Sequence, residues 1–257
     1  LFFRPPYNVS TSVPINDVAP YETGETFFGY YDKSPESPTS EFLLFHQSSW
    51  LTKKLPDPTV PIRIVCMTND GEKKLVDIST TAYNWQQGAR LQWISDSSFI
   101  FNDFDKHMKR YVSKVIDVKN EGCLRTLPSP VNDVFGEEYY LSLNYGRLSI
   151  YAPDYGYRNV RMKRDDLQGL KNDGVYYGEI ASGQQEPAKL LISLRDIVEI
   201  KPLPSMQGAD HTINHLTISP DGDTFLLVHR WYQYGKRYDR LLCIPRDGSD
   251  LQILADN

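Results

Sequence analysis

The stretch from His211 to Trp231 limits the fold more than any other part of this chain. It holds an apolar segment, the turn Ser219-Pro220-Asp221-Gly222, and a second apolar segment ending Val228-His229-Arg230-Trp231. Pro220 presets φ for a turn, and Gly222 takes positive φ at little cost. Asp-Gly between apolar runs is a strong short-range hairpin signal. A third strand, Arg240 to Pro245, is closed by Arg246-Asp247-Gly248-Ser249, and a fourth runs from Leu251 to Leu254. The unit is therefore read as four short antiparallel strands in a meander.

The same unit recurs upstream. A first copy reads Thr26 to Pro35, turn Ser37 to Ser40, Phe42 to His46, Pro61 to Met67, turn Asn69-Asp70-Gly71, then Lys74 to Ile78. Laid on the last copy, Ser37-Pro38 matches Ser219-Pro220 and His46 matches His229, with one residue deleted in the turn. A second copy reads Ala89 to Ile94, turn Ser95 to Ser98, Phe99 to Asp103, Tyr111 to Asp117, turn Lys119 to Gly122, then Cys123 to Leu127. The third is the least regular: Tyr139 to Tyr145, Gly174 to Ile180, turn Ala181 to Gly183, Ala188 to Ser193, with an insertion from Tyr151 to Asp173 rich in Tyr, Arg and Asp. Helical periodicity is weak apart from a short helix expected at Ser193 to Val198.

One such sheet cannot bury both faces, so neighbours must stack. The expected fold is all-β, a β-propeller with four visible blades at residues 21–80, 81–130, 131–200 and 201–257. Pro5, Pro6, Pro14 and Pro20 mark residues 1–20 as an extended N-terminal arm. A repeat of roughly 50 to 70 residues is long for a WD-type blade. Four blades lie at the low end for a closed ring, so the chain is expected to belong to a ring of about six or seven, the rest missing or supplied by a partner chain.

Composition narrows the partners. The 257 residues carry a net charge of -5, which gives no basic footprint, so nucleic acid is not an expected partner. Three scattered cysteines, Cys66, Cys123 and Cys243, form neither a disulfide framework nor a metal motif and are expected in buried strands. No apolar run approaches the roughly 20 residues of a membrane span. The 17 tyrosines suit strands and sugar-stacking surfaces alike.

The Ser-Pro-Asp-Gly hairpin after an apolar strand resembles the repeats of TolB-type β-propellers. More narrowly, His215 with Ser219-Pro220, followed by Val228-His229-Arg230-Trp231, resembles the oligogalacturonate lyase propellers. Those lyases usually have Glu after the second His, where this chain has Arg230, and their divalent metal is held by several His and a Gln. With five His in this chain, no ligand set carries over. Phe28-Gly29-Tyr30-Tyr31-Asp32 and Asn84-Trp85-Gln86-Gln87-Gly88 are similar to uncharacterised bacterial propellers of surface-polysaccharide gene clusters.

In a propeller the innermost strands line a channel, and the loops entering them open onto one face. Tyr31, Asp32, Trp85, Gln86, Gln87, Arg90, Arg147, His211 and His215 fall just before or within those strands, and His229 and Arg230 at a strand end. Aromatic faces suit sugar rings, amides suit hydroxyls, and arginine grips a carboxylate bidentately. Each residue also has a plain structural reading. Tyrosines are ordinary strand residues, Asp32 is a turn-former, and Gln86 and Gln87 satisfy loop backbone. His46 and His229 bond between blades, and Arg158, Arg161, Lys163 and Arg164 form a solvated loop.

Three functions remain open, and a fourth, a glycosidase with paired carboxylates, is disfavoured because the adjacent Glu137 and Glu138 would point to opposite faces of a strand. The first is a non-catalytic propeller binding acidic oligosaccharide at the channel mouth. The second is a uronate lyase acting by β-elimination, with His215 as base and Arg90, Arg147 or Arg230 stabilising the enolate-like charge. The third is a protein-interaction propeller. A divalent metal is expected only under the lyase reading.

Overall fold

The computed structural model describes residues 12–13, 24–49, 52–120, 122–180 and 186–256, without the side chains of residues 122–124, 164 and 168. The expected arm, apart from residues 12–13, and the turn at 181–183 lie outside the described residues.

Among the described residues, sixteen strands form four antiparallel sheets, each a four-stranded meander in chain order. Sheet 1 is β1 (Glu25–Phe27), β2 (Phe42–Ser48), β3 (Ile62–Thr68) and β4 (Lys74–Thr80). Sheet 2 is β5 (Gln92–Trp93), β6 (Ser98–Asp105), β7 (Arg110–Asp117) and β8 (Gly122–Leu127). Sheet 3 is β9 (Asp133–Phe135), β10 (Tyr139–Ser142), β11 (Gly174–Glu179) and β12 (Lys189–Ser193). Sheet 4 is β13 (Asp210–Ile218), β14 (Thr224–Gln233), β15 (Lys236–Pro245) and β16 (Gln252–Asp256). The fold is all-β with four propeller-like blades.

The turns show why the repeat forms. Ser219 Oγ accepts the backbone N–H of Thr224 at 3.0 Å, and Gly222 N–H donates to Ser219 O at 2.9 Å. Ser37 Oγ accepts Phe42 N–H at 3.1 Å in the same way, and Ser95 Oγ accepts Ser98 N–H at 3.2 Å. Each serine thus starts a second strand at a fixed point. Gly222 has φ +79°, and its carbonyl accepts the Tyr139 hydroxyl while Phe135 packs where a Cβ would stand.

Those caps also set which side chains share a face. His46 is the fourth residue after Phe42, whereas His229 is the fifth after Thr224. Side chains alternate along a strand, so the two histidines lie on opposite faces of their sheets and are not equivalents. His46 faces sheet 2, where Nε2 accepts Ala89 N–H at 3.0 Å. His229 faces the opposite way, towards the connection from sheet 3.

Hydrophobic packing follows the chain. Phe42, Leu44, Ile64 and Cys66 of sheet 1 pack on Leu91, Phe99, Phe101 and Ile116. Ile100, Val115 and Leu127 of sheet 2 meet Tyr140 and Ile180. Tyr139, Leu141, Val175 and Ile192 of sheet 3 meet Phe225, Leu227, Leu242 and Ile244. Among the described residues, no such cluster joins sheet 4 to sheet 1. The far face of sheet 4 leaves Leu226 39% and Leu241 36% exposed, beside half-buried Val228 and Cys243. Cys66 is buried in β3, and the side chain of Cys123 is not described.

Three local departures from the sequence reading matter for the site. In sheet 1 the inner strand breaks after Phe27. Residues 28–35 leave the sheet, and pairing resumes at Glu36, opposite Leu43. In sheet 3 the inner strand is β9, and the segment read as 139–145 is the second strand followed by helix α1 (Tyr145–Tyr151). Asn144 ends the strand because its side chain caps α1, accepting Arg147 N–H at 3.0 Å. The expected short helix is α2 (Leu194–Glu199), opened by a capping box between Ser193 and Asp196.

Candidate functional site

The inner strands bring four loops together. His215 sits at a bulge in β13 with φ +51°, where pairing with β14 shifts register between Asn214 and Thr217. Arg90 precedes β5 with φ +52°, Asn132 precedes β9, and Asp32 lies in the excursion from sheet 1. Arg90 is buried and bridges three blades: its terminal nitrogen donates to Asp32 Oδ2 at 3.0 Å and its Nε to Asn132 O at 2.6 Å. Asn132 Nδ2 in turn donates to Leu216 O at 2.8 Å. The same excursion sends Lys33 into an ion pair with Asp133, whose other oxygen accepts Ile218 N–H at 2.8 Å. All four sheets are thereby tied at the centre by polar contacts.

Aromatic rings lie over this centre. The Tyr30 and Tyr31 rings are 4.2 Å apart, and Tyr30 is 5.9 Å from the His215 ring. Tyr155, from the insertion, lies 5.3 Å from His215 and 6.0 Å from Tyr30. Tyr31 is 84% exposed. Contact with Tyr155 raises the Tyr30 phenol above its ordinary pKa. Burial lowers the His215 imidazole, with Arg230 and Arg90 acting in the same direction against Asp239 and Asp32. His215 is thus neutral at pH 7. Among the described residues, three buried polar atoms of this region have no hydrogen-bond partner: Asp32 Oδ1, Gln92 Oε1 and Asn214 Nδ2.

The insertion roofs the end where inner strands begin. Asn84 Nδ2 donates to Tyr155 O at 2.9 Å, Val160 N–H to the Tyr111 hydroxyl at 3.1 Å, and the Tyr232 hydroxyl to Tyr151 O at 3.0 Å. Tyr157 is fully buried, stacked on Tyr145 at 4.1 Å and bonded to Asn102. Residues 151–173 therefore bridge sheets 2 and 4.

Asp32, Arg90, His215 and Tyr31 come together, and of the other candidates Gln87 meets them through its backbone carbonyl, which accepts Arg90 N–H at 3.1 Å. Trp85 is half-buried, its Nε1 donating to Lys54 O at 2.6 Å and its ring packed on Tyr83 and Phe27. Gln87 is buried and Gln86 exposed, and both backbone N–H groups donate to Asn84 Oδ1. Arg147, on α1, is a buried strut: Nε to Asp173 at 2.5 Å, Nη1 to Leu167 O at 2.9 Å and to His211 O at 3.0 Å. Arg230 forms a two-pronged ion pair with Asp239.

His211 and His229 belong to a separate buried chain. His211 Nδ1 lies 2.9 Å from His229 Nε2, and His229 Nδ1 accepts Arg240 Nε–H at 3.1 Å. Since Arg240 only donates, His229 must carry its proton on Nε2 and pass it to His211 Nδ1. His211 then carries its own on Nε2, facing Met206 O at 3.3 Å. Arg240 continues to the carbonyls of Ile197, Ile200 and Lys201, at the end of α2. Burial drives His211 down to about 4 and His229 to about 2, so both are neutral.

Sequence reasoning missed Tyr155, Lys33, Asp133 and Arg240. Arg240 was legible: alternation along β15 puts it on the face of Leu242 and Ile244, which marks a buried cation. Among the described residues no group of three or more His, Cys, Asp or Glu is placed to hold a metal ion, and no helix is long and apolar enough to cross a membrane.

No family model and no curated protein matches the chain. Among solved structures, it is similar to Kuenenia stuttgartiensis hydrazine synthase at 11% identity over 87% of this chain, TM-score 0.48. It is similar to a prolyl endopeptidase at 12% identity over 89%, TM-score 0.43. The chain spans 53% and 28% of those two proteins. The sheets themselves, rather than either likeness, carry the description as propeller-like.

Proposed function

We propose that the protein binds oligosaccharide without transforming it, one sugar ring resting on Tyr31 and its hydroxyls reaching Asp32. The observation that carries this reading is Asp32 Oδ1, a buried acceptor without a partner among the described residues, next in sequence to Tyr31, which is 84% exposed. A buried acceptor left unpaired costs about 1–3 kcal/mol, which a ligand hydroxyl would recover. Aromatic platforms beside a carboxylate are what sugar recognition requires: an apolar ring face plus acceptors at its edge. The likeness of residues 215–231 to oligogalacturonate lyase repeats supports a sugar over other ligands.

The lyase reading keeps one supporting feature and lacks another. His215, neutral, suits a base. The cations it would need beside the substrate carboxylate are engaged inside the fold: Arg90, Arg147 and Arg230 all give donors to internal partners, although Arg147 Nη2 is buried without one among the described residues. Binding without chemistry fits these commitments better.

Titration of Tyr31→Ala with neutral oligosaccharides tests the platform. An exposed tyrosine can be removed without unfolding, so affinity should fall about tenfold while the melting temperature holds. Unchanged affinity overturns the proposal. Growth of unsaturated-product absorbance from uronate oligomers would instead establish the lyase.

A further inference from the structure

The arginines expected to grip a sugar carboxylate are committed inside the fold, yet the insertion carries two that are not. Arg158 and Arg161 form no ion pair or hydrogen bond with any described residue. Both stand in the wall of a cavity of about 690 Å³. We infer that this cavity, set apart from the Tyr31 platform, is the site that reads the carboxylates of an acidic oligosaccharide; the inference rests on the carbohydrate reading above.

The wall holds each kind of group such a ligand needs. Two guanidinium groups offer forked donors for a carboxylate. Asp210 and Ser149 share the wall, and both offer acceptors for ring hydroxyls, Ser149 Oγ giving its own proton to Gly146 O at 2.7 Å. Tyr151 adds an aromatic surface, fixed from the other side by stacking on Tyr232 at 5.4 Å. Asp210 also sets the class: it opposes a compact inorganic anion, whereas a sugar acid presents hydroxyls to it. The volume lies within the roughly 300–1,000 Å³ of small-molecule sites.

Val160 and Met162 stand in the wall of this cavity. These two residues also line a second cavity of about 460 Å³, whose lining includes Lys109 and Arg110. Each of the two cavities thus carries a pair of cations in its lining, Arg158 and Arg161 in one and Lys109 and Arg110 in the other. A chain with a carboxylate on successive sugars suits that spacing of charge; a single uronate fills one cavity.

Two measurements test this. Calorimetry compares trigalacturonate with its methyl ester, which is neutral, on the wild type and on Arg158→Ala/Arg161→Ala. The acid should bind the wild type more tightly, and the double variant should lose about tenfold or more for the acid alone, as removal of charge-assisted hydrogen bonds gives. Both arginines are on a surface segment, and melting temperature checks that the variant folds. Separately, phenylglyoxal labelling read by peptide mass should show both arginines protected by free galacturonate. A double variant that keeps its preference for the acid overturns the inference, as does labelling that galacturonate leaves unchanged. Indifference of neutral binding to Tyr31→Ala removes the platform reading and leaves these two results standing.

Discussion

His211 and His229 share a single proton across 2.9 Å, and its direction is fixed by Arg240 on the far side of His229. Neither ring can take a second proton without setting two donors against each other.

This sets the acid limit of the fold. The ordinary histidine pKa of 6.5 is lowered to about 4 for His211 and for His46, and to about 2 for His229, in each case chiefly by burial. Above pH 6.5 neither the folded nor the unfolded chain holds these protons, and their contribution to stability is complete. As pH falls below 6.5 the unfolded chain takes up protons that the native state refuses, so stability falls steadily towards pH 4. The melting temperature should drop across that window, and less steeply in His46→Gln. A flat profile between pH 7 and 4.5 would refute it.

Arg240→Leu should be among the most damaging single changes in sheet 4. It strips partners from His229 and from carbonyls at the end of α2, and buried acceptors left unpaired cost about 1–3 kcal/mol each. Arg240→Lys should recover little, since one ammonium cannot serve so spread a set of acceptors. Denaturant unfolding measures both; a loss below about 1 kcal/mol for the leucine variant would contradict the role.

Arg90→Ala should unfold the centre more than it alters any ligand preference. Asp32 would lose its partner, and breaking a buried pair from one side costs about 3–5 kcal/mol, less here because Asp32 is partly exposed. Asp32→Asn made together with it should be milder than Arg90→Ala alone. Chemical denaturation of the two variants decides; a worse double variant speaks against the pair.

Gly88 has φ +58°, and a Cβ there would collide with the His46 ring. Gly88→Ala should therefore destabilise strongly, and the combination with His46→Ala should cost less than the sum of the two. Strict additivity would mean that the two sites are not in contact.

The four sheets were legible because their signals are local. Ser219-Pro220 and Ser37-Pro38 announce turns whose serine caps do start the next strand, and Ser193 with Asp196 announces α2. The inner strands were harder. β9 has three residues and β5 two, too few for alternation to show, and β1 breaks so that Tyr30 to Lys33 can reach the centre. Helix α1 hides in a run of tyrosines and branched residues that read as strand, with Asn144 the one start signal. Of the site, Asp32, Arg90 and His215 were found by position alone. Tyr155 was not, because an insertion's path across other blades leaves no trace in repeat spacing. The matching of His46 with His229 failed by one residue in a turn, enough to turn a side chain through a sheet.

Sheet 4, packed on one face against sheet 3 and, among the described residues, without a packed neighbour on the other, gives the array a weak end. In a stack where each repeat is held mainly by its neighbours, a unit with one neighbour opens more often than a unit with two. Sheets 2 and 3 are clamped on both sides, and the outward residues of sheet 1, Phe45, Val65 and Met67, are buried. Opening should begin at β16 and β15 and travel inward. Amide protons there should exchange with solvent long before those of β6 and β7, and any molecule that settles on Leu226 and Leu241 would slow the whole sequence from its first step.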